Sequence, residues 1–63
     1  MKEIYLIALD EHREEMGNFF TEVKVITSLG AYLDRKRAER AAERHSKVDK
    51  QEYYVIVVSV KNI

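Results

Sequence analysis

The sequence contains no cysteine, no proline and no tryptophan, and its only glycines are Gly17 and Gly30. Without thiols the chain cannot form a disulfide scaffold or a cysteine-ligated zinc module. Two isolated glycines exclude the glycine-rich loops that bind phosphates. No apolar run approaches the ~20 residues that a membrane-spanning helix needs. The common covalent and metal-based means of stabilising a short chain are therefore absent.

The composition nevertheless predicts a folded protein, because 46% of its 63 residues are apolar and 35% are charged. Disordered chains are poorer in apolar residues and carry a large net charge. A chain of this length forms one small domain, for which we take residues 1–63. Without disulfides, oligomerisation is the remaining common way to stabilise so small a core, so we expect a homodimer.

The chain also lacks a net charge, but its charges are distributed unevenly. Residues 1–23 hold six acidic and two basic residues, whereas residues 34–50 hold seven basic and four acidic ones. Such asymmetry can mark a partner surface, or it can simply reflect an acidic loop and a basic helix. The start of the sequence has no signal-peptide pattern, since its apolar run is short. We therefore expect a protein of the bacterial or phage-infected cytoplasm that does not enter membranes.

Hydrophobic periodicity predicts three strands and one helix. Residues 3–9 and 52–61 are rich in aliphatic and aromatic side chains, as is typical of strands, and residues 19–29 alternate in their middle. Residues 10–18 show no apolar period and predict a loop, and Gly30 predicts a bend. Asp34 predicts the N-cap of a helix over residues 35–47, with Ala38, Ala41 and Ala42 on its buried face.

This order of elements, β-β-α-β, predicts an α+β fold. The first two strands can pair as an antiparallel hairpin, and a right-handed crossover through the helix places the last strand beside the first. The expected sheet is therefore three-stranded and mainly antiparallel, in spatial order 2-1-3, with the helix packed on one face. The first strand is central, in agreement with its apolar residues on both sides.

One helix of about 13 residues can cover only one face of this sheet, yet the first and last strands are apolar on both faces. We therefore predict that the second face, or a sheet edge, is a protein interface. The alternative is that a few apolar side chains are simply exposed. The residues predicted for the interface are Tyr5, Ile7, Leu9, Tyr53, Val55 and Val57.

The outer side of the predicted helix carries a stripe of cations. Such a stripe can contact phosphates of a nucleic acid or an acidic protein. It can equally be a solvated helix face with local ion pairs such as Glu43–Lys47. Nucleic-acid binding is therefore the alternative function. Its candidate residues are Lys36, Arg37, Arg40, Arg44 and Lys47.

No catalytic constellation is apparent, so we predict a non-enzymatic protein without cofactors or metals. The serines lack a nucleophile elbow and a recognisable triad. The acidic residues 10–18 lack the Asp/Asn spacing and central glycine of a calcium loop. His45 falls on the alanine face, where no other histidine or cysteine is positioned to share a metal with it.

The segment 31–41, in which Tyr32 and Asp34 precede Ala38-Glu39, resembles a class of very short β-β-α-β proteins encoded by bacteriophages and prophages. In that class a strand ending in an aromatic residue enters a capped helix, and a strand rich in Tyr and Val closes the chain, as residues 53–60 do here. The resemblance covers about two thirds of the chain. It implies a phage-encoded protein that binds and modulates a host protein, and it implies no catalytic residues.

Overall fold

The computed structural model describes residues 2–61, which form one helix packed on a four-stranded antiparallel sheet. The predicted α+β class is confirmed. The β-β-α-β order is confirmed as well, with the difference that the predicted second strand is divided into a long and a short piece. A single 3₁₀ turn, Thr27–Leu29, separates these two pieces. The elements are β1 (Lys2–Glu15), β2 (Asn18–Val25), β3 (Ala31–Tyr32), α1 (Arg35–Asp49) and β4 (Tyr53–Val60).

β1 is the central strand, since each of the other three strands pairs with it. β4 lies antiparallel along one edge, from Lys2↔Val60 to Leu9↔Tyr53. β2 and β3 lie along the other edge, and between them the Ile26 amide donates a hydrogen bond to the Ile7 carbonyl at 2.9 Å. The predicted spatial order, with the first strand in the middle, is thereby confirmed.

The predicted loop at residues 10–18 is wrong, because β1 continues to Glu15 and turns directly into β2. Both turn residues, Met16 (φ 53°) and Gly17 (φ 81°), have left-handed backbones, as a two-residue type I′ hairpin turn requires. β4 ends its pairing at Leu9, so only two strands continue beyond that point. We call this two-stranded projection, residues 10–23, the arm.

The predicted strand at 19–29 is too long, since β2 ends at Val25 and the chain then forms the 3₁₀ turn. The predicted bend at Gly30 is confirmed by its φ of 95°, which other residues rarely adopt. After the bend, the Tyr32 hydroxyl donates to the Leu29 carbonyl at 3.0 Å. This contact ties β3 back onto the turn.

Asp34 caps α1 as predicted, because its Oδ1 accepts a hydrogen bond from the Lys36 amide at 3.0 Å. The helix extends two residues further than predicted, to Asp49, and Lys50 ends it in a left-handed conformation. Near this end the Ser46 hydroxyl donates to the Ala42 carbonyl and accepts from the Tyr53 amide. Ser46 thereby joins the end of the helix to the start of β4.

The core lies between α1 and the middle of β1. Ile7 is fully buried, and Ala41 and Ala42 pack against it. Their short side chains let the helix approach the sheet closely, at the cost of buried area per residue. The predicted alanine face of the helix is thus confirmed, and the partly buried residues around it are Leu29, Tyr32, Tyr53 and Val55.

Substitution Ala41→Glu should unfold the protein, because Ala41 is 3% exposed and a carboxylate there would press against Ile7 without a partner. Burying an unpaired polar group costs at least about 2 kcal/mol, a large share of the stability of a small domain. Thermal denaturation followed by circular dichroism would measure the loss. The control Arg40→Glu, on the exposed side of the same helix, should leave the melting temperature within a few degrees; equal loss in both variants would contradict the packing.

Candidate interaction surfaces

The helix covers the sheet face that carries all six residues predicted for the interface. Directly opposed residues of an antiparallel pair share a face, so Ile7 and its neighbours Tyr5 and Leu9 lie with their β4 partners beneath α1. The prediction therefore named the wrong face: Ile7 is 0% exposed, and two of the partners pack against the core. Both faces are equally apolar in sequence, so the pattern could not select between them. The three β4 partners are Tyr53, Val55 and Val57.

The opposite side of the sheet, which we call the open face, has no helix over it in the described part of the chain. Its apolar side chains are contiguous across three strands, and several remain exposed, including Val23 at 59% and Val58 at 39%. Ala8 lies in the middle of this face and is 0% exposed, because Tyr54 and Val25 flank it on either side. The open face comprises Ile4, Leu6 and Ala8 of β1, Val23 and Val25 of β2, and Tyr54, Ile56, Val58 and Val60 of β4.

Tyrosine–carboxylate hydrogen bonds border the sheet. The Tyr54 hydroxyl donates to Asp10 Oδ1 at 2.6 Å, where the open face meets the arm. This hydrogen bond, with a smaller desolvation contribution, raises the pKa of Tyr54 above its usual value. The pKa of Tyr53 is raised in the same way by Asp49, and that of Tyr5 by Glu3. Each hydroxyl is therefore held in its protonated, donating form.

The arm is exposed almost throughout. Across its two strands Arg13 forms an ion pair with Glu22, and the His12 ring lies 3.1 Å from the Thr21 hydroxyl. Phe19, near the tip, is 82% exposed. A two-stranded hairpin without further cover is only marginally stable in water, so the arm is the least supported part of the sheet.

A recess of 470 Å³ lies at the base of the arm, where β4 begins and the edge of β1 becomes free. Asp10 and His12 line it from β1, and Lys50 and Tyr54 line it from the helix end and β4. Its polar character comes from these side chains. The sequence did not indicate this recess, since residues 10–18 were predicted as a loop.

The cationic stripe predicted on α1 lies on the side of the helix away from the sheet. Ala38, Ala41 and Ala42 are buried, and the five cations on the other side are exposed. Within the described residues, Lys47 is the only one of these five cations in an ion pair, and its Nζ lies 3.6 Å from Glu43 Oε1. The structure thus brings together Lys36, Arg37, Arg40, Arg44 and Lys47 on one surface.

Across residues 2–61, no three His, Asp or Glu side chains gather closely enough to hold a metal ion. In the same part of the chain, α1 is neither long enough nor apolar enough to cross a membrane. In comparisons with known proteins, no family model, no curated protein and no solved structure matches the chain.

Stability should fall at alkaline pH, because the folded state raises the pKa of Tyr5, Tyr53 and Tyr54. The contribution of the three hydrogen bonds is complete below the unfolded value near 10 and is lost as pH rises through the folded values. Urea midpoints at pH 8 and pH 11 would measure this decline. A variant with all three tyrosines changed to Phe should show a smaller fall in the urea midpoint between these two pH values. A fall as large as that of the wild type would contradict the assignment.

Proposed function

We propose that the chain is a non-enzymatic protein-interaction module that forms a homodimer by packing two open faces together. The observation that carries this proposal is the contiguous apolar surface over three strands, with partly exposed Val23, Val25, Val58 and Val60. Scattered apolar residues are normal on a protein surface, but a continuous patch of this kind is characteristic of an interface.

The dimensions of the molecule suit such a dimer. Its Cα atoms span 44 × 31 Å in the broad plane and only 15 Å in depth, so the molecule is broad and thin. Two sheets also pack well face to face, about 10 Å apart, with their side chains interdigitated.

A second copy is favoured as the occupant because the core within one copy is small. Ile7 is the only large side chain among the described residues that is fully buried, and the other buried residues are alanines. Because the net charge is zero, no overall charge repulsion opposes self-association.

The resemblance to short phage proteins supports a setting for this module. In that setting the dimer would work in the cytoplasm of an infected bacterial cell and bind a protein of the host. The open faces would then hold the dimer together, and the arm and the helix would remain exposed and available to bind the host protein.

Two neighbouring valines of β4 provide a matched test of the dimer. Val58 lies on the open face, whereas Val57 lies on the helix side and is 54% exposed. Val58→Lys should weaken dimerisation at least about 30-fold, because burying an unpaired ammonium in the interface costs about 2 kcal/mol or more. Val57→Lys should leave the dissociation constant nearly unchanged.

Sedimentation equilibrium over a range of concentrations would measure both dissociation constants. A wild-type chain that is monomeric at every concentration would refute the dimer. A dimer that Val57→Lys disrupts and Val58→Lys does not would place the interface on another surface. Circular dichroism spectra of both variants would show that the fold is retained.

Binding of nucleic acid through α1 is the second candidate function, supported by the exposed stripe of five cations. Arg40 and Arg44 lie one helical turn apart in its middle, so both could contact one phosphate backbone. Affinity for DNA or RNA should then fall steeply between about 50 and 200 mM salt. Arg40→Glu with Arg44→Glu should abolish binding, and the control Lys24→Glu on β2 should not. Fluorescence anisotropy would measure this, and no binding at low salt would refute it.

A further inference from the structure

The backbone of β1 has an unpaired edge along the arm. The Ile26 amide bonds to the Ile7 carbonyl, so the odd-numbered residues of β1 direct their backbone groups towards β2. In an antiparallel ladder, alternate residues direct both N–H and C=O to the same side. Asp10, His12 and Glu14 therefore direct theirs to the opposite side, where the pairing with β4 has already ended at Leu9.

The recess at the base of the arm makes this edge a bounded site. Tyr53 and Tyr54, at the start of β4, form the wall at one end, and Asp10 and His12 line the side. An added strand would lie in line with β4 and would extend from this wall along the arm. The free stretch of about five residues is roughly 17 Å long at 3.4 Å per residue.

The charges on the arm select a basic occupant. Residues 10–15 hold four carboxylates against one arginine. A second copy pairing antiparallel at this edge would set Asp10 opposite Glu14 and would bring together two segments that each carry a net negative charge, which is unfavourable. A strand rich in Lys and Arg would instead place cations beside Asp10 and Glu14.

The outer edges of β2 and β4 do not share these properties. The outer edge of β2 alternates apolar residues with Glu22 and Lys24, whose charges cancel. The outer edge of β4 contains no charged residue, and its first amide, that of Tyr53, already donates to Ser46. Charge and concavity therefore coincide at the arm edge of β1.

We propose that this edge of β1 binds an extended lysine- or arginine-rich segment of another protein as an added antiparallel strand. Backbone hydrogen bonds to Asp10, His12 and Glu14 give the register, and the carboxylates give the preference for cations. The site lies in the plane of the sheet, so it is accessible in a monomer and in a dimer formed through the open faces. It therefore does not depend on the proposed dimer.

The probe is a synthetic heptapeptide that alternates Lys with Thr or Val, labelled for fluorescence anisotropy and measured in about 50 mM salt. It should bind and shift the amide resonances of residues 10–15. A peptide of the same sequence, N-methylated at every residue, keeps the charge but cannot donate a backbone hydrogen bond to β1. Equal binding of the methylated peptide, or no binding of the parent peptide, would overturn the proposal.

Two proline variants separate the arm edge from the rest of the hairpin. His12 of β1 lies directly opposite Thr21 of β2, and the backbone amide of each points away from the other strand. Each residue can therefore lose its N–H without breaking a hydrogen bond between β1 and β2. His12→Pro should weaken peptide binding at least about fivefold, the effect of losing roughly one hydrogen bond. Thr21→Pro removes the same kind of donor from the outer edge of β2 and should leave the affinity unchanged.

Equal loss of binding in both proline variants would overturn the assignment to the β1 edge. Amide spectra of both variants, compared for the core residues Ile7 and Ala41, would establish that each remains folded. Val58→Lys should bind the peptide as the wild type does. A failure of the proposed dimer and a failure of this site would thus give different results.

Discussion

The pairing of β1 with every other strand is the constraint on which the rest of the structure depends. β2, β3 and β4 each bond to β1 and to no other strand of the described sheet. Residues 5–9 of β1 are paired on both edges and carry Ile7 into the core, whereas the part beyond Leu9 is paired on one edge only. The division of one strand into a central half and an edge half creates the arm, its recess and its unpaired backbone.

The alanine face of α1 is the second determinant of the architecture. A helix that contacts the sheet through Ala38, Ala41 and Ala42 can lie close to it, but it contributes little apolar area. Ser46 then fixes where the helix ends and β4 begins, through its hydrogen bonds to Ala42 and Tyr53. The chain thus has one thin core layer and a second apolar sheet face beyond it, so one copy buries little apolar area by itself.

The sequence was sufficient to predict the elements that obey burial patterns and capping chemistry. Asp34 predicted the start of the helix, and the alanine spacing predicted its buried face. The apolar residues on both sides of β1 predicted that it is the central strand. The arm was missed because Asp10–Glu15 is not buried on either face, so no alternation marks it as a strand. Its one local signal was Gly17 at the second position of a two-residue turn before an aromatic run. The covered face could not be predicted, since both faces of β1 and β4 are equally apolar.

Free strand edges are a hazard for a small sheet protein, and the distribution of charge shows how each edge is controlled here. Ser46 occupies the first amide of the β4 edge, and Glu22 and Lys24 interrupt the apolar residues of the β2 edge. On the arm edge of β1, carboxylates repel a second copy of the same edge. A surface that excludes its own copy by charge still leaves its backbone groups unpaired. The same carboxylates therefore disfavour self-pairing at this edge and favour a cationic partner there.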